Sequence, residues 1–245
     1  MTKELDNINI VIPMAGDGTR FKNAGFKLPK PFIDVNGKTM IENVIDNINI
    51  PSASYILIAR KQDIENNSDI IKNLQKDHNI KWIYVDQLTE GAACTVLLAK
   101  ELINNDSPLL LANSDQIVDL NISDFICDAM ERNLDGSILT FKDDDIKWSY
   151  AAVDENNIVT ETKEKQVISE YATVGIYYFS RGDIFVNATE NMISNNDRFN
   201  NEFYVCPSYN YAIKEGNKIG IYDIDPSEMH GIGTPEDLEI YLDSQ

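Results

Sequence analysis

The stretch Ile8-Asn9-Ile10-Val11-Ile12-Pro13-Met14-Ala15-Gly16-Asp17-Gly18-Thr19-Arg20-Phe21 decides the fold. Its first five residues are a short apolar run stopped by Pro13, the pattern of a buried strand. Two glycines one residue apart come next, where the backbone can pass close to a ligand and aim N–H groups at phosphate oxygens. Outward from this point the same alternation repeats. Thr39–Ile48 places Met40, Ile41, Val44, Ile45 and Ile48 at helical spacing. Tyr55–Ala59 reads as a second strand, Asp63–Lys76 as a helix and Lys81–Val85 as a third strand. Ala92–Ile103 reads as a helix and Leu109–Ala112 as a fourth strand. This βα alternation predicts a Rossmann-like α/β fold: a mixed, mostly parallel sheet with helices on both faces. Ligands in such sheets sit beyond the C-terminal strand ends, which points to the loops after Ile12, Val85 and Ala112.

From about residue 137 the texture changes. Ser137–Phe141, Tyr150–Val153, Ile158–Thr162 and Thr173–Phe179 read as strands, with Asp154-Glu155-Asn156-Asn157 as a hairpin turn. A helix is expected over Phe203–Lys214, a strand over Ile219–Ile224 and a last helix over Pro235–Leu242, with proline in its first turn. There is no Gly/Ser linker, low-complexity segment or repeat. The expectation is one domain over residues 1–245, with a parallel half of about 1–118 and a mixed half of about 119–245.

The 245 residues are 43% hydrophobic and 25% charged, as in an ordinary globular chain. The net charge of −19 repels phosphate-rich partners, so neither nucleic acid nor an anionic membrane is expected. No run of 18 apolar residues occurs, and Met1–Asp6 is polar and mixed in charge, unlike a signal peptide. The expected address is the cytoplasm. Cys94, Cys127 and Cys206 are far apart, which suits reduced, buried thiols there. With only His78 and His230, zinc sites built on paired histidines are excluded, and a Ser-His-Asp triad has little to draw on. The acidity is uneven. Residues 1–38 carry a charge of +2 while the remainder carries −21. A basic island on an acidic chain suits one small anionic ligand, with a divalent cation as a second guest.

Three phosphate-loop readings compete for Met14–Phe21. A Walker A loop needs a Gly-Lys-Ser/Thr that is absent. A dinucleotide fingerprint needs a third glycine and an immediate helix, whereas Pro29 and Pro31 keep the chain downstream irregular. A mononucleotide triphosphate loop carrying its own Arg20 remains, set against a plain glycine turn with a solvated arginine. Lys30 lies between two prolines, which suits a charge held rigidly at a phosphate; Lys27 reads as a surface residue.

The run Ile-Pro-Met-Ala-Gly-Asp-Gly-Thr-Arg-Phe, followed by Pro-Lys-Pro-Phe-Ile-Asp-Val-Asn-Gly-Lys-Thr-Met-Ile, resembles the signature of the sugar-1-phosphate nucleotidyltransferases (nucleoside-diphosphate-sugar pyrophosphorylases). The resemblance continues through Gln87–Leu98, Asn113-Ser114-Asp115, Glu164-Lys165, Gly175–Tyr178 and Gly233-Thr234-Pro235, spanning nearly the whole chain. It implies the fold of that family, with a nucleotide-binding first half and an acceptor-binding second half. It implies that Ala15, Gly16, Gly18 and Thr19 cradle the triphosphate, with Arg20 on its β- and γ-oxygens. Lys30 would neutralise charge where the two substrates meet. Gln87 and the backbone of Gly91 would read the base over Ala92, and a pyrimidine is favoured. The helix-forming alanines Ala92 and Ala93 also suit a buried face. Asp115 would hold Mg²⁺, although a turn cap is the alternative reading. Glu164, Lys165 and Gly175 would face the acceptor, although Gln166 replaces the family's proline.

One departure concerns the metal. The family commonly carries a second metal-binding aspartate just before its Gly-Thr motif, and here that place falls on Gly231. Asp223, Asp225, His230 or water could take over; Asp225 is the expected ligand.

The implied reaction joins an NTP to a sugar 1-phosphate, giving an NDP-sugar and pyrophosphate for surface polysaccharide precursors. A homo-oligomer is compatible with it. Two rivals stand beside it. A cytidylyltransferase for phosphocholine would use Trp82, Trp148, Tyr150 and Tyr171 as an aromatic cage. A non-catalytic nucleotide-sugar-binding regulator would tolerate Gly231, but the retention of Arg20, Lys30 and Asp115 favours the enzyme.

Overall fold

The computed structural model describes residues 7–245; the polar stretch Met1–Asp6 lies outside the described residues. In chain order the strands are β1 (Asn9–Pro13), β2 (Asp34–Val35), β3 (Lys38–Thr39), β4 (Ser54–Arg60), β5 (Ile80–Val85), β6 (Leu109–Ala112) and β7 (Gln116–Val118). Next come β8 (Gly136–Lys142), β9 (Ser149–Val153), β10 (Val159–Glu164), β11 (Tyr171–Phe179), β12 (Ile219–Ile224) and β13 (Met229–Gly231). The helices are α1 (Thr19–Asn23), α2 (Met40–Asn47), α3 (Lys61–Asn66), α4 (Ser68–Asp77), α5 (Ala92–Leu97) and α6 (Lys100–Ile103). They continue with α7 (Ile122–Glu131), α8 (Gly182–Ser194), α9 (Ser208–Lys214) and α10 (Pro235–Asp243).

Strands β5, β4, β1 and β6 form a parallel block, as the βα alternation requires. Beyond β6 the sheet turns antiparallel: β11 pairs with β6, β8 and β9, and β9 pairs with β10. The late strand β12 joins in parallel beside β8. The result is a mixed sheet with a parallel core.

Successive residues of a strand point to opposite faces. Ile10 and Ile12 accordingly enter one apolar cluster, with Val44 and Ile45 of α2 and Phe125 and Ile126 of α7. Val11 enters the other, with Val96 of α5, Phe185 of α8 and Tyr209 of α9. Helices therefore cover both faces. Helix α2 begins at a capping box, in which Thr39 and Glu42 satisfy each other's backbone N–H groups.

Several expected helices are interrupted. The single helix read over Asp63–Lys76 breaks at Asn67 into α3 and α4, and that over Ala92–Ile103 breaks at Leu98–Ala99 into α5 and α6. The helix read over Phe203–Lys214 starts only at Ser208. Phe203 instead runs against Gly91: its N–H bonds Glu90 O at 2.7 Å and its carbonyl accepts from Ala93 N at 3.0 Å. A small third cluster (Phe21, Ile33, Met40, Ile117, Ile232, Leu238) ties α1 and α10 to the two-stranded β7–β13 ribbon.

Candidate active site

Strands β1 and β6 are parallel neighbours, so the chain leaves both at the same edge of the sheet. A cavity of about 450 Å³ opens there. Of the residues singled out in the sequence, Gly16, Gly18, Thr19, Arg20, Lys30, Ala92 and Asp115 line it. Asn113, Ser114, Tyr204 and Gly233 also stand in its wall.

Lys30 opens a 3₁₀ turn, Lys30–Phe32, held by Phe32 N–H to Pro29 O at 2.9 Å and anchored by buried Pro31 and Phe32. The backbone that carries this cation is therefore fixed by two proline rings and an aromatic plug. Its Nζ donates to Asp115 Oδ2 across the cavity floor, and the two side chains are 20% and 19% exposed. Asp115 is fixed in turn by its neighbours: Ile232 N–H donates to Asp115 O at 2.9 Å, and Gln116 pairs with Gly231 across the ribbon. Gly233 backs onto the carboxylate so closely that a Cβ there would lie 2.7 Å from Asp115 Oδ2. Arg20, on α1, is exposed and makes no ion pair among the described residues.

The other nucleotide-side candidates divide. Ala15 is buried beneath the loop, and its carbonyl accepts from Arg60 Nε at 3.2 Å. Gln87 is exposed in the loop between β5 and α5 and does not line the cavity. Gly91 has φ 121°, and a Cβ would meet Phe203 O at 2.5 Å, so this glycine answers to Phe203. That contact delivers Tyr204 to the cavity.

On the acceptor side, Glu164 is buried at the end of β10 and accepts from Ser149 Oγ. Burial raises its carboxyl above the ordinary value, against the lowering effects of Ser149 and Lys165. Glu164 lines a separate cavity of about 110 Å³ that shares Tyr204 with the main one. Lys165 has φ 50°, a left-handed conformation uncommon for a lysine, and its Nζ donates to Tyr204 Oη at 3.2 Å. Gly175 lies at a register shift in β11, and its carbonyl accepts from Asn113 N at 3.0 Å. The acceptor-side candidates thus border the main cavity through Tyr204 and Asn113. Reading Phe203–Lys214 as a helix hides Tyr204; Asn113 and Gly233 stand inside quoted motifs with no role attached.

The nucleotidyl transferase profile matches residues 10–224. The chain belongs to the nucleotidyl transferase family. It is similar to a nucleoside-diphosphate-sugar pyrophosphorylase from Vibrio cholerae RC9, at 25% identity and TM-score 0.80, over 96% of this chain and 99% of that one. The bifunctional protein GlmU of Methanococcus aeolicus is 27% identical over 177 residues, 70% of this chain and 40% of the relative. The mannose-1-phosphate guanylyltransferase catalytic subunit beta of Dictyostelium discoideum is 25% identical over 175 residues, 69% of this chain and 49% of the relative. The chain spans about half or less of these two curated relatives. In fold alone it is also similar to the inositol-1-phosphate CTP transferase from T. maritima, with TM-score 0.71 and 15% identity.

Against this family background, two expectations need correction, the second metal ligand and the aromatic cage. Asp225 does not join Asp115. Pro226 starts a 3₁₀ turn, so Asp225 leaves the strand and caps that turn, accepting from Ser227 N at 2.9 Å on the exposed surface. Asp223 accepts from Thr140 Oγ1 at 3.0 Å, also away from the cavity lining, and His230 Nε2 bonds Asp119 Oδ2 at 2.8 Å. Gly231 does lie beside Asp115, opposite Gln116, and a Cβ there would meet only Met229 Cε at 4.0 Å. Gly231 lines a separate cavity with Met229, His230 and Trp148, not the one that holds Asp115.

The aromatic cage is not assembled either. Trp82 lies on β5 and Tyr150 on β9, far apart in the strand order. Tyr150 is fully buried, and its hydroxyl donates to Asp145 O at 2.8 Å. Tyr171 is covered by Lys142 Nζ, 3.6 Å from its ring centroid. Among the described residues no group of three or more His, Cys, Asp or Glu side chains is placed to hold a metal, and no helix is long and apolar enough to cross a membrane. Asp115 alone still suits Mg²⁺, a hard cation that binds through one or two carboxylates and takes its remaining oxygens from phosphates and water.

Proposed function

We propose that this nucleotidyl transferase joins a nucleoside triphosphate to a sugar 1-phosphate, forming a nucleotide sugar and releasing pyrophosphate. The observation that carries this reading is the meeting of the Gly16–Gly18 loop, Arg20, Lys30 and Asp115 in one cavity at the ends of β1 and β6. In the proposed reaction an acceptor phosphate oxygen attacks the α-phosphorus in line, and the bond to the β-phosphate oxygen breaks. The acceptor is already ionised at neutral pH, so no general base is needed. The protein's work is to position two anions and to neutralise their charge. Loop N–H groups and Arg20 hold the triphosphate tail, while Lys30 places a fixed ammonium where the two phosphates converge. Lys165, tied to Tyr204, orients the acceptor from the opposite side. Asp115 would hold Mg²⁺, which supplies Lewis-acid neutralisation of phosphate oxygens.

The finer reading is a pyrimidine nucleotide and a cytoplasmic role in surface polysaccharide precursors. What supports it is the side-chain chemistry of Gln87, which offers one donor and one acceptor to a base edge from the loop before Gly91, together with the small Ala92 in the cavity lining. The test is a pyrophosphate-release screen of ATP, GTP, CTP, UTP and dTTP against sugar 1-phosphates and other phosphoesters, inositol 1-phosphate included. A pyrimidine nucleotide with a sugar 1-phosphate should be the productive pair. Turnover with ATP or GTP alone would overturn the base assignment. Nucleotide binding with no turnover on any acceptor would overturn the transfer reaction and favour the regulator.

A further inference from the structure

Residues 195–207 join α8 to α9 and deliver Tyr204 to the main cavity. The loop is folded tightly on itself. Phe199 and Glu202 exchange backbone hydrogen bonds at 3.0 and 2.9 Å, and Asn196, Asn200 and Asn201 take left-handed φ values of 53°, 48° and 64°. Asparagine enters that region more readily than most residues.

Arg198 and Phe199, adjacent in this loop, have opposite neighbours. The Arg198 guanidinium lies 4.3 Å from the ring centroid of Phe203, and its Nη1 donates to Glu90 Oε1 at 3.4 Å. Glu90 belongs to the loop between β5 and α5, which also carries Gln87. Phe199 instead meets Tyr204 edge to face, with centroids 6.5 Å apart, and Lys165 Nζ lies 5.9 Å and 5.1 Å from the two rings. Two consecutive residues therefore touch the nucleotide-side loop and the acceptor-side lysine.

The Arg198–Glu90 ion pair contributes little by itself, because the Glu90 side chain is 66% exposed. The stacking on Phe203 is the firmer contact. Arg198 Nε is buried with no hydrogen-bond partner among the described residues, a cost that a surface arginine escapes by turning to water. The guanidinium is held over the ring in spite of that cost. Phe203 is fully buried, and its backbone is bonded to Glu90 and Ala93 on the nucleotide side. A shift of that loop must move Phe203, and Tyr204 follows through one peptide bond.

We propose that Arg198 is a positioning residue that couples the two substrate sides. A nucleotide held at the Gln87 loop fixes Phe203, and through it Tyr204 and Lys165, in the arrangement the acceptor meets. The proposal rests on the transfer reaction above. Ordering done by the first substrate need not be repeated by the second, so each tightens the binding of the other.

The test is hydrogen–deuterium exchange of the full chain with Mg²⁺ and without acceptor, adding ATP, GTP, CTP, UTP and dTTP in turn. The nucleotide that binds should slow exchange of Gly16–Phe21, and should slow Phe203–Cys206 and Lys163–Gln166 about tenfold. In Arg198→Ala the slowing of Lys163–Gln166 should fall below about twofold, while that of Gly16–Phe21 persists. Each variant is compared with itself, with and without nucleotide, so looser packing alone does not register. Arg198→Lys keeps the charge but not the planar stack, and should behave as Arg198→Ala does. Glu90→Gln should keep most of the response. Arg181→Ala, beyond the end of β11 that pairs with the start of β6, should keep all of it. Full slowing of Lys163–Gln166 in Arg198→Ala, or slowing confined to Gly16–Phe21 in the native chain, would overturn the coupling and leave the transfer reaction standing. No slowing anywhere with any of the five nucleotides would overturn the transfer reaction, and the coupling with it.

Discussion

At the parallel end of the sheet, one short stretch from Pro13 to Pro31 supplies the glycine loop, Arg20 and Lys30 to the cavity. At the antiparallel end, Tyr204 arrives alone from a segment laid against Gly91, and Glu164, Lys165 and Gly175 act at one remove. The difference is between a site written in consecutive residues and one assembled by strand pairing. The first tolerates little change, because its charges touch the cavity directly. The second is buffered by intermediaries, and its changes should appear as graded effects on one substrate.

The largest expected effect sharpens that contrast. Lys30→Ala should lower kcat by on the order of 10²–10³ with the fold intact by circular dichroism, since it removes a fixed cation from the point of charge development. Normal turnover would remove Lys30 from the site. Asp115→Asn should cost on the order of 10² in kcat and abolish the response to added Mg²⁺. If the variant kept full activity in EDTA, the metal assignment would fail. Gly231→Asp adds a carboxylate on the strand paired with Gln116, next to Asp115 in sequence, where a Cβ has room; it should lower the Mg²⁺ concentration needed for half-maximal rate by roughly tenfold. An unchanged requirement would mean that position 231 does not face the cation.

The acceptor side should respond more gently. Tyr204→Phe removes the hydroxyl that receives Lys165 Nζ, and should raise KM for the acceptor by roughly threefold to tenfold while leaving KM for the nucleotide unchanged. Equal effects on both substrates would erase the distinction between the two ends.

The smallest effect concerns Glu164. Its carboxyl is raised above 4.5 by burial, so the folded chain holds this proton more tightly than the unfolded one. Its contribution is therefore fully present below that pH and is lost as pH rises through the raised value. Glu164→Gln, which keeps an acceptor for Ser149, should raise Tm by about 2 °C at pH 7. The gain should vanish as the pH is lowered toward 4. A constant gain at all pH values would assign the effect to packing instead.

The legibility of the chain divides in the same way. The apolar runs of β1, β4 and β6 are readable because strands buried on both faces are continuous in sequence. Helix α7 also carries its signal, with Asn121 as cap and Ile122, Phe125, Ile126 and Ala129 on one face, yet the expected elements include no helix there. Helix α8 is likewise absent from the expected elements, although it buries Ile184, Phe185, Val186, Ala188, Thr189 and Met192 and leaves Asn187, Glu190, Asn191 and Ser194 exposed at helical spacing. Lys30 and Asp115 stand out because their motifs surround them. Tyr204 depends on Phe203 lying across Gly91, a contact between segments more than a hundred residues apart. Asp225 is misplaced by extending the alternation one residue past the strand, where Pro226 turns the chain.

Gly233 gives the cavity a timetable. The wall that presses on Asp115 comes from near the C-terminal end of the chain, and so does the β13 strand that pairs beside it. During synthesis the glycine loop, Lys30 and Asp115 all emerge first and can fold around β1 and β6. The cavity then stays open on one side until residues 229–233 have left the ribosome. A chain released early would carry the whole phosphate motif and still lack a finished site, so a recognisable motif in a fragment is no measure of competence.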